Sequence, residues 1–119
     1  MDKEIRIGIG DPASTANGFI EVWKRVGQGE KAEPVQHLNF ENIETLLRTL
    51  TPGRWVLLKM LRTGGPMSIR RLSTALGRDY KNVHTDVKQL EHVGLINRTR
   101  DNKVRVPWDI VQTRLSLAA

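Results

Sequence analysis

The chain has 119 residues, no Cys, 39% hydrophobic and 27% charged residues, and a formal net charge of +6 at pH 7. The lack of Cys excludes disulfides and thiolate metal sites, and no apolar run is long enough to span a membrane. Because the N-terminus also lacks a signal-peptide core, we expect a cytoplasmic protein of one domain, or a small domain with an appendage, and no membrane partner.

The charge is distributed unevenly along the chain. Residues 1–50 hold 6 Lys and Arg against 8 Asp and Glu, whereas residues 51–106 hold 12 Lys and Arg against 4 Asp and Glu. A concentrated basic segment favours a polyanionic partner, because displaced counterions add to the binding free energy. A solvated basic surface without a partner is the alternative, and charge alone leaves both open.

The front of the chain predicts a strand and a helix. Residues 4–9, EIRIGI, alternate apolar and polar side chains as a half-buried strand does. After the turn at DPAS, Ser14 or Thr15 can cap a helix. Apolar residues recur there at i, i+3, i+4 and i+7, which gives the helix one apolar face. That face consists of Phe19, Val22, Trp23 and Val26.

A second strand and helix follow a loop at residues 27–34. Residues 35–40, VQHLNF, indicate a short strand with Leu38 and Phe40 on one side. Asn39 is expected to cap the next helix. The apolar face of that helix is formed by Ile43, Leu46, Leu47 and Leu50. Residues 1–50 therefore predict a β-α-β-α segment.

The basic segment predicts three helices. Thr51 as N-cap and Pro52 at the first helical position begin the first one. Ser68 caps the second helix, and Gly77 ends it as the left-handed residue after its last turn. Asp79 caps the third. The expected core side chains are Trp55, Leu58 and Leu61 in the first helix and Ile69, Leu72 and Leu76 in the second.

A hairpin and a final strand complete the chain. Residues 95–108, LINRTRDNKVRVPW, indicate two strands joined by a two-residue turn at Asp101 and Asn102. Residues 110–117, IVQTRLSL, alternate as a strand that pairs with residues 4–9, either within one chain or between two. The predicted fold class is α+β: a winged helix-turn-helix with an N-terminal β-α-β-α segment and a C-terminal strand. The three parts are residues 1–50, 51–108 and 109–119.

The third helix of the basic segment has two chemically distinct faces. At 100° per residue, Val83, Val87 and Leu90 lie within about 60° and form the core side. The opposite face carries Lys81, His84, Thr85, Lys88 and His92. Such side chains suit hydrogen bonding in the DNA major groove, whereas a merely solvated face normally mixes both signs of charge. The candidate DNA contacts of this helix are Tyr80, Lys81, Asn82, His84, Thr85 and Lys88.

Further basic residues lie where such a fold places phosphate contacts. A helix N-terminus binds phosphate through its free backbone N–H groups. In the hairpin, a two-residue turn opposes like charges, Arg100 with Lys103 and Arg98 with Arg105. Opposed like charges weaken a hairpin unless a polyanion neutralises them. The candidate phosphate contacts are Ser68, Arg70 and Arg71 in the second helix and Arg98, Arg100, Lys103 and Arg105 in the hairpin.

A family resemblance covers about residues 50–108. The stretch LTPGRWVLLKMLRTGGPMSIRRLSTALGRDYKNVHTDVKQLEHVGLI resembles winged-helix regulators of the MarR and TrmB-like type. The phrase SIRRLSTALGRDYKNVHTDVKQLEHVGL is similar to one shared by a small family of bacterial and archaeal DNA-binding proteins. Bacterial members often sit beside a toxin of the TumE type. The resemblance therefore implies an antitoxin that also represses its own operon.

Patterns for catalysis, cofactors and metals are weak. GIGDPA at residues 8–13 fits a dinucleotide-binding pattern, but too few residues follow it for a Rossmann domain, and Pro12 removes a backbone N–H. His84 and His92 are eight residues apart, whereas zinc-binding pairs usually sit at i, i+4 with further ligands. No nucleophile signature surrounds any Ser, His or Asp. We therefore expect no enzyme activity, no cofactor and no metal.

Two functions remain open. In the first, residues 1–50 and the tail strand build a homodimer that binds a palindromic operator in double-stranded DNA and represses transcription. In the second, the winged helix is a protein-interaction module that neutralises a cognate toxin or another partner, with little role in DNA binding. The two functions are compatible in an antitoxin.

Overall fold

The computed structural model describes residues 3–10, 35–115 and 117. Within these residues the chain is an α+β protein with four helices and five strands. The helix predicted from Ser14 or Thr15 and the loop predicted at residues 27–34 lie outside the described residues.

A parallel three-stranded sheet forms around the first strand. Strand β1 (Glu4–Ile9) lies between β2 (Gln36–Phe40) and β5 (Ile110–Thr113), and both neighbours run parallel to it. Ile5 and Ile7 are each 3% exposed, so the predicted alternation along β1 is confirmed. The strands predicted at residues 4–9 and 35–40 are likewise confirmed.

The last strand pairs with β1 of the same chain and is shorter than predicted. Its ladder runs from Ile110 opposite Glu4 to Thr113 opposite Ile7. The strand does not continue to residue 117, which corrects the prediction.

Helix α1 (Ile43–Thr49) begins four residues after its predicted cap. Asn42, not Asn39, is the capping residue, because its Oδ1 accepts a hydrogen bond of 2.8 Å from the Thr45 N–H. Asn39 still belongs to β2, and its side chain donates to the Gly10 carbonyl. The predicted four-residue apolar face is also wrong, since Leu46 is buried but Leu47 is 60% exposed. A helix of two turns places little of its surface against a core.

Helix α2 (Pro52–Gly64) starts as predicted. The Thr51 hydroxyl accepts a hydrogen bond of 3.2 Å from the Arg54 N–H, and Pro52 occupies the first turn. Leu58 and Leu61 are buried, but Trp55 is 42% exposed, so its predicted burial is wrong. Trp55 lies about 120° around the helix from Leu61, which puts it outside the core-facing arc.

Two helices separated by a tight turn follow. They are α3 (Ile69–Leu76) and α4 (Tyr80–His92). Ser68 caps α3 by accepting a hydrogen bond of 3.1 Å from the Arg71 N–H. Gly77 ends α3 with φ 64°, the left-handed conformation predicted for it. Asp79 occupies the predicted N-cap position of α4, although its side chain makes no capping hydrogen bond.

The hairpin has a different turn from the predicted one. Strands β3 (Asn97–Arg98) and β4 (Val104–Arg105) are antiparallel, with Arg98 opposite Val104. The Thr99 N–H donates to the Lys103 carbonyl at 2.8 Å, so three residues form the loop. Asn102 has φ 63°, and Asn adopts this conformation more readily than most residues, which favours a three-residue loop.

The three-residue loop shifts the register. Asn97 is opposite Arg105 and Arg98 is opposite Val104. The predicted like-charged pairs, Arg100 with Lys103 and Arg98 with Arg105, are therefore wrong. The electrostatic conflict that those pairs implied is absent from the ladder of this hairpin.

The segment between α2 and α3 pairs with the hairpin through a single antiparallel β-bridge, Met67 with Val104. The Met67 N–H donates to the Val104 carbonyl at 3.1 Å, and the Val104 N–H donates to the Met67 carbonyl at 2.9 Å. Helix α3 packs against α4, and α2 packs against both α3 and β4. The side chains with less than 2% exposure are Leu57, Leu61, Leu72, Val83, Val87, Leu90, Leu95, Ile96 and Val104.

Contacts divide the chain into two compact units. The first comprises Met1–Leu46 with Ile110–Ala119, and the second comprises Leu47–Asp109. The parallel sheet belongs to the first unit, and α2, α3, α4 and the hairpin belong to the second. Of the helices described, none has the length and apolar character required to cross a bilayer.

Two glycines of the second unit should respond oppositely to Ala. Gly77→Ala should lower the free energy of unfolding by roughly 1–2 kcal/mol, because a side chain disfavours the left-handed conformation at φ 64°. Gly53→Ala should raise it by about 0.5–1 kcal/mol, because Gly53 is helical and an added Cβ meets no atom within 4 Å. Urea denaturation measures both changes. Equal effects at the two sites would contradict the turn geometry.

Candidate nucleic-acid interface

Helix α4 divides cleanly into a buried side and an exposed side. Val83, Val87 and Leu90 are 0% exposed, which confirms the predicted core side. The structure leaves five of the six predicted contact residues of α4 exposed, and His84 half-buried. The five exposed residues are Tyr80, which is 40% exposed, Lys81, Asn82, Thr85 and Lys88.

Asp86 lies at one margin of this face and binds two arginines. Its Oδ1 accepts a hydrogen bond of 3.1 Å from Arg54 Nε of α2, and its Oδ2 accepts one of 2.8 Å from Arg78 Nη2. Arg54 also donates through Nη1 to the Thr49 carbonyl at 3.0 Å. The side chains of Arg54 and Asp86 are each 16% exposed, so the pair is well shielded from water. This cluster joins the start of α2 and the turn before α4 to the middle of α4.

Glu91 lies at the other margin and binds the hairpin. Its Oε2 accepts a hydrogen bond of 2.9 Å from Arg98 Nε, and its Oε1 lies 3.5 Å from Arg98 Nη2. Arg98 Nη1 donates to Asn102 Oδ1 at 3.2 Å. Lys88 Nζ is 4.0 Å from Glu91 Oε1. Arg98, predicted as a phosphate contact, is thus turned toward α4.

The centre of the face keeps its positive charge. Within residues 3–10 and 35–115, no group forms an ion pair with Lys81. The Thr85 hydroxyl donates to the Lys81 carbonyl at 3.0 Å, which leaves its oxygen lone pairs available as acceptors. Since both acids of the helix are engaged by arginines, the surface between them presents cations and neutral hydrogen-bonding groups.

An aromatic side chain joins the starts of α3 and α4. The Arg70 guanidinium lies 5.1 Å from the centre of the Tyr80 ring, a cation–π distance. The Tyr80 and His84 rings are 5.9 Å apart and tilted by 39°. Arg71 is exposed one residue further along α3, whereas the Ser68 hydroxyl is occupied as the helix cap. Of the predicted contacts of α3, Arg70 therefore lies next to the first turn of α4.

The remaining hairpin cations, Lys103, Arg100 and Arg105, differ in whether they form an ion pair among the described residues. Lys103 Nζ is 3.5 Å from Asp101 Oδ2. A hydrogen bond from the Thr99 hydroxyl lowers the pKa of Asp101 below its ordinary value, and Lys103 adds to the shift, so the carboxylate stays ionised. Arg100 and Arg105 are exposed, and neither forms an ion pair with any described residue. Both guanidinium groups are available to an external anion.

The arginine–carboxylate contacts were missed by the sequence reasoning. Arg54 and Asp86 are 32 residues apart, and no local pattern relates them. Glu91 and Arg98 are seven residues apart, but a helix end and a turn separate them. Only the packing of α2, α4 and the hairpin brings these charges together.

A protein-family model, HVO_A0114, matches residues 49–113, more than half of the 119 residues. The chain belongs to the HVO_A0114 family. The range matched by HVO_A0114 contains α2, α3, α4, the hairpin and β5, and therefore every residue discussed in this interface. No curated protein matches the chain. The part of the chain that the structure describes contains no group of three or more His, Asp or Glu residues able to hold a metal ion.

Proposed function

We propose that this protein is a sequence-specific transcription regulator that inserts α4 into the major groove of double-stranded DNA. The order α2, Met67 bridge, α3, α4, β3, β4 supports a winged helix-turn-helix, in which the second helix of the motif enters the groove and the hairpin is the wing. The family resemblance to MarR and TrmB-like regulators points the same way.

The observation that carries the proposal is the exposed face of α4. Lys81, Thr85 and Lys88 are exposed while the opposite side of the same helix is fully buried. Lys donates to guanine O6 and N7 or to phosphate, and Thr offers a hydroxyl and a methyl group. The residues in the first turns, Lys81, Asn82 and His84, approach base edges in this docking mode.

Phosphate contacts flank the groove contacts. The N-terminus of α3, with Arg70 and Arg71, approaches the backbone on one side. The hairpin approaches it on the other through Arg100 and Arg105, which have no ion pair among the described residues. Each phosphate that is neutralised releases counterions, so binding weakens as salt rises.

One α4 helix reads only a few base pairs, so the regulator works as a homodimer on a palindromic operator. Two-fold pairing places the half-sites one duplex turn apart, about 34 Å. The family resemblance favours a cytoplasmic antitoxin that represses its own operon by covering the promoter. Residues 1–50 and the tail strand are the proposed dimerisation segment.

The double variant Lys81→Ala/Lys88→Ala tests the groove face. Its affinity for a duplex taken from upstream of its own coding sequence should fall by about 100-fold or more, because two cations leave the interface. Fluorescence anisotropy at about 50 mM salt measures the affinity. The matched control, Arg48→Ala/Lys59→Ala, removes two exposed cations from α1 and α2. Equal affinities of the two double variants would refute the assigned face, and no binding by the wild type would refute the function.

Arg100→Ala tests the phosphate role of the hairpin. The variant should weaken binding to the upstream duplex and to a random duplex by the same factor, since phosphate contacts carry no sequence information. The slope of log K against log salt should become shallower by about 0.9, the value for one contact. A salt titration measures both, with Arg48→Ala as control. A loss confined to the upstream duplex would instead indicate base contact by Arg100.

The alternative function is binding of a cognate toxin with little role in DNA binding. The observation that favours it is the outer side of α2, where Trp55, Val56 and Met60 are 42%, 55% and 37% exposed. Exposed large apolar side chains on one helix are typical of protein interfaces.

Val56→Glu tests this alternative. When the protein is co-expressed with the product of the adjacent open reading frame, the variant should lose co-purification, because a carboxylate would be buried at the contact. Lys59→Glu, exposed on the same helix, is the control for charge alone. Retained co-purification of Val56→Glu would exclude this side of α2 as the toxin site.

A further inference from the structure

We infer that Arg98 is a positioning residue and does not contact DNA. Its contact with Glu91, called the clamp below, holds the hairpin against α4. The helix and the hairpin then bind DNA as one rigid unit. The inference rests on the proposed function. It reverses the role that the sequence suggested for Arg98, and it gives a role to Glu91, which no sequence pattern indicated.

The guanidinium of Arg98 is already occupied. Its Nε and Nη2 face the two carboxylate oxygens of Glu91 at 2.9 and 3.5 Å, and its Nη1 donates to Asn102 Oδ1 at 3.2 Å. All three nitrogens are therefore engaged within the protein. A bidentate arginine–carboxylate contact fixes the orientation of the two side chains as well as the distance between them. These contacts use three of the five N–H groups of Arg98, so a phosphate could bind without displacing a partner only through the second N–H of Nη1 or Nη2.

Glu91, Arg98 and Asn102 belong to α4 and to the hairpin, and the position of one relative to the other determines whether both can contact the same duplex. Glu91 is in the last turn of α4, Arg98 is in β3, and Asn102 is the left-handed residue of the hairpin loop. Arg98 thus connects the helix to both the strand and the tip of the hairpin. The side chains of Arg98 and Glu91 are each 26% exposed, so the contact is partly shielded from water and from salt.

The free cations of the hairpin depend on this placement. Arg100 lies inside the loop closed by Asn102, and Arg105 lies opposite Asn97, next to Arg98 in β3. If the clamp opens, both cations move relative to the base-reading face of α4. The α4 residues and the hairpin cations can then no longer contact the same duplex at the same time. The affinity for DNA falls, although no DNA-contacting group has been removed.

A double-mutant cycle with Glu91→Gln and Arg98→Ala tests the inference. Each single variant should weaken binding to the upstream duplex by about tenfold, and the double variant should be no weaker than either single one, because both break the same contact. The salt slope should become shallower by the same amount in all three variants, because each releases the same hairpin contacts. Glu91 also lies near Lys88. Because Glu91→Gln changes this contact equally in the presence and in the absence of Arg98, its effect cancels in the cycle, and the coupling energy reports the Glu91–Arg98 contact alone.

Two further variants separate positioning from phosphate contact. Arg98→Lys keeps the charge but loses the planar fork, so it should be as weak as Arg98→Ala. Arg105→Ala removes a hairpin cation that has no ion pair among the described residues, and it should make the salt slope shallower by about 0.9. The inference is overturned if Arg98→Lys restores binding, if Arg98→Ala makes the slope shallower and Glu91→Gln does not, or if Glu91→Gln tightens binding by removing a negative charge.

Amide hydrogen exchange keeps this test distinct from that of the proposed function. The amides of Thr99 and Val104 are hydrogen-bonded within the hairpin and its Met67 bridge. In Glu91→Gln and in Arg98→Ala they should exchange faster by about tenfold, while core amides of α4 stay protected. Failure of the wild type to bind any duplex would refute the function only. Unchanged exchange at both amides in both variants would refute the clamp.

Discussion

Burial of one side of α4 is the constraint on which the rest of the second unit depends. Val83, Val87 and Leu90 are completely buried, and removing even one of these side chains from the core would cost several kcal/mol. The helix therefore cannot rotate about its axis, and the opposite side must face outward. The polar and basic residues there are held in fixed positions by packing that involves none of them directly.

Charge on α4 is organised around that same orientation. The acids fall at the margins of the exposed face, Asp86 toward α2 and Glu91 toward the hairpin, and each is engaged by arginines from other elements. These contacts join the helix to its neighbours and at the same time remove negative charge from the surface that would meet a phosphate backbone. A basic face with neutralised margins attracts a polyanion, and the same ion pairs orient the elements that would grip it.

Local sequence signals located most of the described elements but not all of their details. Capping by Thr51 and Ser68, the left-handed Gly77 and the 3.6-residue spacing of α4 are set by chemistry within a few residues, so they were predicted correctly. Trp55 was wrong because its burial depends on which elements surround α2. The hairpin register was wrong because Asn102 permits a three-residue loop that a count of turn residues does not distinguish from a two-residue one.

The sequence by itself determined the helices of the basic segment, the buried and exposed sides of α4 and the excess of positive charge, because each follows from composition or from periodicity along one element. Only the tertiary structure decided which of those charges remain available. Arg54 and Arg98 form ion pairs with Asp86 and Glu91, respectively. Arg100 and Arg105 have no ion pair among the described residues. Ion pairs join residues that packing brings together, and separation along the chain carries no information about that distance.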